Sequence, residues 1–239
     1  MGKKSTRQKD RDIINVSYCT SDTYVTKNVI KPKDEYQKKF VEAIKNKDLI
    51  FGLGKAGTGK TLLSLYNCVK GLDNEYLPQD KIYYLRSNVG LNDEKDFGHL
   101  PGGIDEKLLP LSLPIYDNLS EFLNLHQIDR LFKQKSIQVS PLVYLRGRSL
   151  KNSFVILDEA QNCTYKQFKT IVSRLSQNSK LIILGDLEQI DIKKNSSGFA
   201  EVIQRLENTD SLKCKELFEI VYFKNNYRNQ SFSPLIDIL

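Results

Sequence analysis

Apolar positions along this 239-residue chain fall into two alternating textures. Short continuous runs, Leu49-Ile-Phe51, Ile82-Tyr-Tyr-Leu85, Phe154-Val-Ile-Leu157 and Leu181-Ile-Ile-Leu184, stop at glycine, arginine or aspartate. Unalternating runs of that length mark strands covered on both faces. Between them apolar residues recur at helical spacing. Tyr36, Phe40, Val41 and Ile44 predict a helix over 35–45, and Leu62, Leu63, Leu65, Tyr66 and Val69 one over 60–70 that stops at Gly71. The same reading gives a mostly helical stretch over 105–125 interrupted by Pro110 and Pro114, and helices over 165–175 and 199–206. It adds strands over 137–145 and 217–223 and a last helical turn over 234–239. Strands alternating with helices imply an α/β fold, a mostly parallel sheet flanked by helices on both faces. With no repeat or linker in view, residues 31–239 read as one domain and residues 1–30 as a basic, flexible tail.

Composition narrows the class. The chain is 40% hydrophobic and 27% charged, ordinary globular values that exclude wholesale disorder. No run approaches the ~20 apolar residues of a membrane-spanning helix. The first residues lack an apolar signal core, so a cytoplasmic protein with no membrane partner is expected. The four cysteines, Cys19, Cys68, Cys163 and Cys214, form no Cys-x-x-Cys pair, and the only histidines are His99 and His126. Separate reduced thiols fit better than a zinc cage or a disulfide framework. The net charge of +7 permits a polyanionic partner without identifying one. Part of it lies in the tail, at Lys3, Lys4, Arg7, Lys9 and Arg11, a run that fits a solvated tail or a nucleic-acid arm.

The candidate chemistry begins between the first predicted strand and the helix over 60–70. Gly54-Lys55-Ala56-Gly57-Thr58-Gly59-Lys60-Thr61 matches G-x-x-x-x-G-K-[ST] in the strand–helix context that the pattern requires. Glycines let successive N–H groups curl around phosphate oxygens at a helix N-terminus. Lys60 offers a point charge to the outer phosphates, and the Thr61 hydroxyl is a ligand for Mg²⁺. A second apolar strand ends in Asp158-Glu159, where ligands of parallel sheets bind. Asp158 is placed to hold Mg²⁺ and Glu159 to orient and deprotonate a water, although an acidic pair at a strand end also suits a helix cap. A third strand runs into Gly185-Asp-Leu-Glu-Gln189, where Gln189, with Asp186 next, is the candidate sensor of the γ-phosphate. Gln37, upstream of the loop, is the candidate for reading the adenine edge. A GTPase would carry Asn-Lys-x-Asp after the loop. Asn46-Lys47-Asp48 precedes it with the wrong spacing, so ATP is the expected nucleotide.

Further motifs join these: Asp48-Leu-Ile-Phe-Gly52, Phe97-Gly-His-Leu-Pro-Gly102, Pro114-Ile-Tyr-Asp117, Arg146-Gly-Arg-Ser-Leu150 and Ile156-Leu-Asp-Glu-Ala-Gln-Asn162. With them the chain, from about Lys33 onward, resembles the PhoH family of P-loop ATPases, relatives of the superfamily-1 helicases. The resemblance implies a RecA-like domain that binds and hydrolyses ATP in association with RNA. It carries nucleotide binding onto Gly57, Gly59, Lys60 and Thr61, metal and water chemistry onto Asp158 and Glu159, and phosphate sensing onto Gln189. Gln161 is implied as a coupling residue. Lys55 departs from the family's usual proline, and Arg86 to Asp96 replaces a shorter, less acidic segment. Near the end, Asn226-Tyr227-Arg228 resembles a helicase element whose arginine reaches the γ-phosphate.

Two classes of function follow. One is a motor that moves on or remodels single-stranded RNA or DNA, a possible helicase, with Tyr83, Tyr84 and Tyr144 as candidate stacking residues that equally suit a core. The other is an ATP-gated switch that oligomerises or holds a protein partner. One lobe is too short to close an ATP site alone, so a homo-oligomer, even a hexameric ring, is expected to complete it. Arg228, Arg146 and Arg148 are the candidate arginines, the last two fitting a phosphate backbone equally well.

Overall fold

The computed structural model describes residues 27–87, 104–145, 147–189 and 197–227. Six strands form one sheet in the order β3-β2-β4-β5-β1-β6, every neighbouring pair parallel. They are β1 (Leu49–Leu53), β2 (Lys81–Arg86), β3 (Ile137–Pro141), β4 (Ser153–Asp158), β5 (Lys180–Gly185) and β6 (Phe218–Tyr222). The helices are α1 (Glu35–Asn46), α2 (Lys60–Leu72), α3 (Ile104–Ser120), α4 (Leu125–Lys133), α5 (Tyr165–Val172), α6 (Phe199–Glu207) and α7 (Leu212–Leu217).

Period-two alternation splits the apolar strands into two cores. Ile82 and Tyr84, Phe154 and Ile156, and Ile182 and Leu184 face α1 to α4. Tyr83 and Leu85, Val155 and Leu157, and Leu181 and Ile183 face α5, α6 and the 3-10 turn Leu142–Leu145. Each central strand thus buries both faces, which is why it reads as a continuous apolar run. Gly52 in β1 faces Phe40, whose ring would lie 2.9 Å from an added Cβ, so glycine lets α1 seat against the sheet.

The structure differs from the sequence reading in a few places, each with a local cause. Helix α3 runs through Pro110 and Pro114, because burial of Ile115 and Leu119 offsets the backbone hydrogen bonds that proline removes. A separate helix, α4, follows, opened by a capping box in which Asn124 and Gln127 satisfy each other's backbone. The strand expected over 137–145 ends at Pro141, on a sheet edge where a missing N–H breaks no ladder, and the chain turns into the 3-10 segment. Helix α7 escapes a periodicity reading because none of its residues is buried.

Residues 27–30, assigned to the tail, are tied down. The Lys27 N–H donates to the Phe122 carbonyl at 2.6 Å, the Asn28 amide to Glu121 at 2.8 Å, and Ile30 packs on the core. The rest of the tail, Cys19, Arg146, Arg228 and the turn expected over 234–239 lie outside the described residues. Cys68 and Cys163 are buried free thiols, and burial pushes Cys163 up to about 12, so neither is poised to react. Among the described residues no helix is long and apolar enough to cross a membrane.

Candidate nucleotide site

Four strands deliver their C-terminal ends to one place. β1 leads into the loop 54–59, β2 ends at Arg86, β4 at Asp158 and β5 at Gly185. β5 lies between the strand of the phosphate loop and the strand of the acidic pair.

The loop is shaped by its glycines. Gly54, Gly57 and Gly59 have φ of 150°, 84° and 86°, values that L-residues rarely adopt. At Gly54 a Cβ would also lie 2.7 Å from the Phe223 carbonyl. Gly59 is the N-cap of α2, so the free amides of that helix open into the loop. Buried Thr58 closes it by donating from Oγ1 to the Lys55 carbonyl at 3.0 Å, while Lys55 and Ala56 are exposed. Lys60 folds its ammonium back to donate to the Gly54 carbonyl and, at 2.8 Å, to that of Lys55. Burial pulls the Lys60 ammonium below the usual lysine value, against the opposing pull of Asp158, Asp186 and Glu159.

Opposite stands an acidic wall. Thr61 Oγ1 donates to Asp158 Oδ2 at 3.1 Å, and the Tyr84 phenol donates to the same oxygen. Burial first, and the Asp158 charge next, push the Tyr84 phenol well above its ordinary range, so it remains a donor. Glu159 sits in left-handed backbone at φ 55°, an arrangement that costs on the order of 1–3 kcal/mol and needs support. The support is visible. Ser87 Oγ donates to the Glu159 carbonyl at 2.8 Å, Gln161 Nε2 to Oε2 at 2.7 Å, and Arg86 pairs with Oε1 at 3.5 Å. Gln161 is itself buried, and its Oε1 accepts the Asp186 N–H at 3.1 Å, joining the ends of β4 and β5.

Asp186 is 5% exposed, and its Oδ2 has no hydrogen-bond partner among the described residues. Gln189 stands exposed beyond the turn. Glu188 in that turn pairs with Lys55 at 3.4 Å, so the β5 segment reaches across to the phosphate loop.

Gln37 is buried with its amide engaged: Oε1 accepts the Lys33 N–H at 2.7 Å, and Nε2 donates to the Thr58 carbonyl at 2.9 Å. It braces the loop, and each end of the amide keeps one further lone pair or N–H, the pair of groups that reading an adenine edge uses. The segment after β6 adds a second brace. The Tyr227 N–H donates to the Gly57 carbonyl at 2.9 Å, and its hydroxyl and the Asn225 amide reach Asp34 Oδ2 at 2.7 and 2.9 Å. Slight burial raises the Asp34 carboxyl, but bonds from the Gln37 N–H, Tyr227, Asn225 and the Tyr36 N–H outweigh it and hold the group below its ordinary value.

The sequence reading therefore placed the loop and both acids, and the structure brings them together. It missed Tyr84, Arg86, Ser87 and Asp34 as parts of the site. Arg86 lies opposite Asp158 only because β2 pairs with β4, which no local pattern reveals. Among the described residues no three His, Cys, Asp or Glu side chains form a metal cage. One hydroxyl and one carboxylate are what a protein offers Mg²⁺ when phosphates and water complete the shell.

Fold and site together define a parallel α/β domain of the P-loop nucleotide-binding class. The family model described as "PhoH: PhoH-like protein" matches residues 29–230. The chain belongs to that family. It is 40% identical to a PhoH-like protein of Bacillus subtilis over 198 residues, 81% of this chain and 61% of that one. It is 37% identical to one of Mycobacterium tuberculosis strain H37Rv, covering 87% of this chain and 57% of the relative. Protein PhoH of Escherichia coli is 35% identical, with 76% and 51% covered. The chain thus spans little more than half the length of these relatives. Among solved structures, a Bacteroides Pif1 helicase in complex with ADP-AlF3 and ssDNA aligns with TM-score 0.43 and 16% identity, over 87% of this chain and 46% of that one. A Sulfolobus solfataricus SWI2/SNF2 ATPase core in complex with dsDNA aligns with TM-score 0.44 and 14% identity, over 85% and 47%. Family membership rests on the sequence matches, not on these loose alignments.

Proposed function

We propose that this chain works in the cytoplasm as a Mg²⁺-dependent ATPase. ATP binding and hydrolysis drive its binding to, or remodelling of, single-stranded RNA or DNA. The observation that carries the reading is Thr61 meeting Asp158 across 3.1 Å at the mouth of a phosphate loop, with the anchored Glu159 next in the chain. The residues present fit the metal: Thr61 and Asp158 would hold Mg²⁺, and Asp186 Oδ2, buried with no hydrogen-bond partner among the described residues, would offer a further oxygen toward it or its water. When bound, Mg²⁺ neutralises charge on the outer phosphates.

The remaining roles belong to the chain itself. The loop amides and the α2 N-terminus bind the phosphates, and Lys60 exchanges its carbonyl partners for phosphate oxygens. Glu159 orients a water and takes its proton, while Arg86 and Gln161 keep both of its oxygens fixed. Gln189, on the segment that touches Lys55 through Glu188, reports the γ-phosphate. Gln37 reads the adenine with the lone pair and N–H that its bonds to Lys33 and Thr58 leave over.

A nucleic-acid partner is favoured by the net charge of +7 and by the kinship with helicases. Tyr83 and Tyr84 are core residues, which leaves Tyr144, 48% exposed, as the stacking candidate. A second copy completes the site with an arginine, Arg228 or Arg146. Arg148 is engaged locally, 5.4 Å over the Tyr83 ring and bonded to Gln138 at 3.3 Å. The switch reading draws on the segment ending at Tyr227, whose bond to Gly57 ties any movement of the loop to the chain entering Arg228.

Turnover of Mg²⁺-ATP, measured alone and with RNA and DNA strands at two salt concentrations, tests the proposal. Stimulation that falls with salt is expected. Turnover unaffected by any strand, with ATP-dependent assembly in light scattering, favours the switch. No Mg²⁺-dependent turnover under any condition overturns both.

A further inference from the structure

We infer that Tyr84 is a positioning residue for the metal-binding carboxylate, its phenol fixing Asp158 Oδ2 in the orientation that receives Mg²⁺. The inference rests on the Mg²⁺-ATP reading above and adds a residue from outside the phosphate loop and the acidic pair.

Tyr84 lies near the end of β2 with 0% of its surface exposed. It shares the α1–α4 core with Ile82 and Ile156. For packing alone a phenylalanine would serve. A hydroxyl at a site closed to water is tolerable only with a partner, and here the partner is Asp158 Oδ2. The same oxygen accepts from Thr61 Oγ1 at 3.1 Å, and Asp158 Oδ1 accepts the Glu159 N–H at 3.0 Å. Three separate pieces of chain therefore grip one carboxylate: the turn after β4, the first residues of α2, and β2. Of these only β2 contributes a side chain with no other task at the site. The pairing register makes this possible. Tyr84 lies beside Ile156, two residues before Asp158 and on the same face, so a long side chain at position 84 reaches the carboxylate above its neighbour.

Partners that orient a metal ligand typically change metal affinity 10–100-fold when removed. In the full chain, binding of a fluorescent ATP analogue is titrated with Mg²⁺ for wild type and Tyr84→Phe. The half-saturating Mg²⁺ concentration is expected to rise about tenfold. Analogue affinity in EDTA should stay within about twofold, since the phosphate loop is untouched. A Tyr84→Phe protein with wild-type melting behaviour and an unchanged Mg²⁺ midpoint overturns the inference. A wild type whose analogue binding ignores Mg²⁺ overturns the Mg²⁺ reading itself, and this inference with it.

Should the variant not fold, the wild type answers directly. With tyrosines labelled at the Cζ carbon, the isotope shift between H₂O and D₂O shows which of the 12 hydroxyls exchange slowly. A protected, shifted phenol that persists with Mg²⁺ and ADP is expected. Loss of every protected phenol when Mg²⁺ and ADP bind overturns the inference.

Discussion

The phosphate loop and the acidic wall face each other across the site, yet they are built by opposite means. The loop is one contiguous stretch whose shape comes from backbone conformation, with positive φ at Gly54, Gly57 and Gly59 and carbonyls that hold Lys60. The wall is assembled from Tyr84, Arg86 and Ser87 of one segment, Asp158 to Gln161 of another and Asp186 of a third, joined by side-chain bonds. A backbone-defined site tolerates side-chain changes at its exposed positions and fails when a glycine changes. A side-chain-defined site fails piece by piece, each loss showing in the group it held.

Substitutions on the two walls should therefore fail differently. Glu159→Gln is expected to lower kcat by ~10²–10⁴-fold, the usual worth of a general base, while nucleotide affinity stays near wild type. Lys60→Ala strikes the other wall, and should cost ~10²–10³-fold in kcat and weaken nucleotide binding as well. Single-turnover kinetics with a parallel binding titration separates the two; equal loss of binding in both variants would erase the distinction.

Gln161→Leu probes the brace rather than the acid. It frees Glu159 Oε2 and leaves the Asp186 N–H without its acceptor. Turnover should fall by ~10–100-fold through misplacement, and denaturant unfolding should show a loss of about 1–3 kcal/mol. Unchanged turnover would mean that Glu159 is held well enough by Arg86 alone. Gly59→Ala places a side chain at φ 86° and 3.1 Å from Gln37 Nε2. A stability loss of about 1–2 kcal/mol in the same unfolding experiment is expected.

The smallest effect concerns the brace behind the loop. The bonds that hold Asp34 below its ordinary value favour the ionised, folded form. That contribution is complete above the ordinary carboxylate range and is lost as pH falls through the lowered native value. Asp34→Asn should lower the melting temperature slightly at neutral pH, with the two profiles converging below about pH 4, so that the variant's acid limb is flatter. An identical acid limb in both proteins would show that Tyr227 and Asn225 are not held by charge.

Legibility followed the same division. The loop, the strand before it and the helix after it were readable because glycine spacing and apolar periodicity act over a few residues. Asp158 and Glu159 were readable because an apolar run announces the strand that carries them. Helix α4 had a legible signal in Asn124 and Gln127, whereas the passage of α3 through two prolines had none, since burial of Ile115 and Leu119 decides it.

By itself, then, the sequence determined the alternation of strands and helices, the phosphate loop and the identity of the acids, because each depends on contacts between near neighbours in the chain. Tertiary structure alone decided that β2 lies beside β4, and so that Tyr84 and Arg86 serve the acidic pair. It also decided that Gln37 and Tyr227 brace the loop from two ends of the chain. Strand order and side-chain reach are set by the packing of the whole sheet, where residues about 70 to 190 positions apart become neighbours.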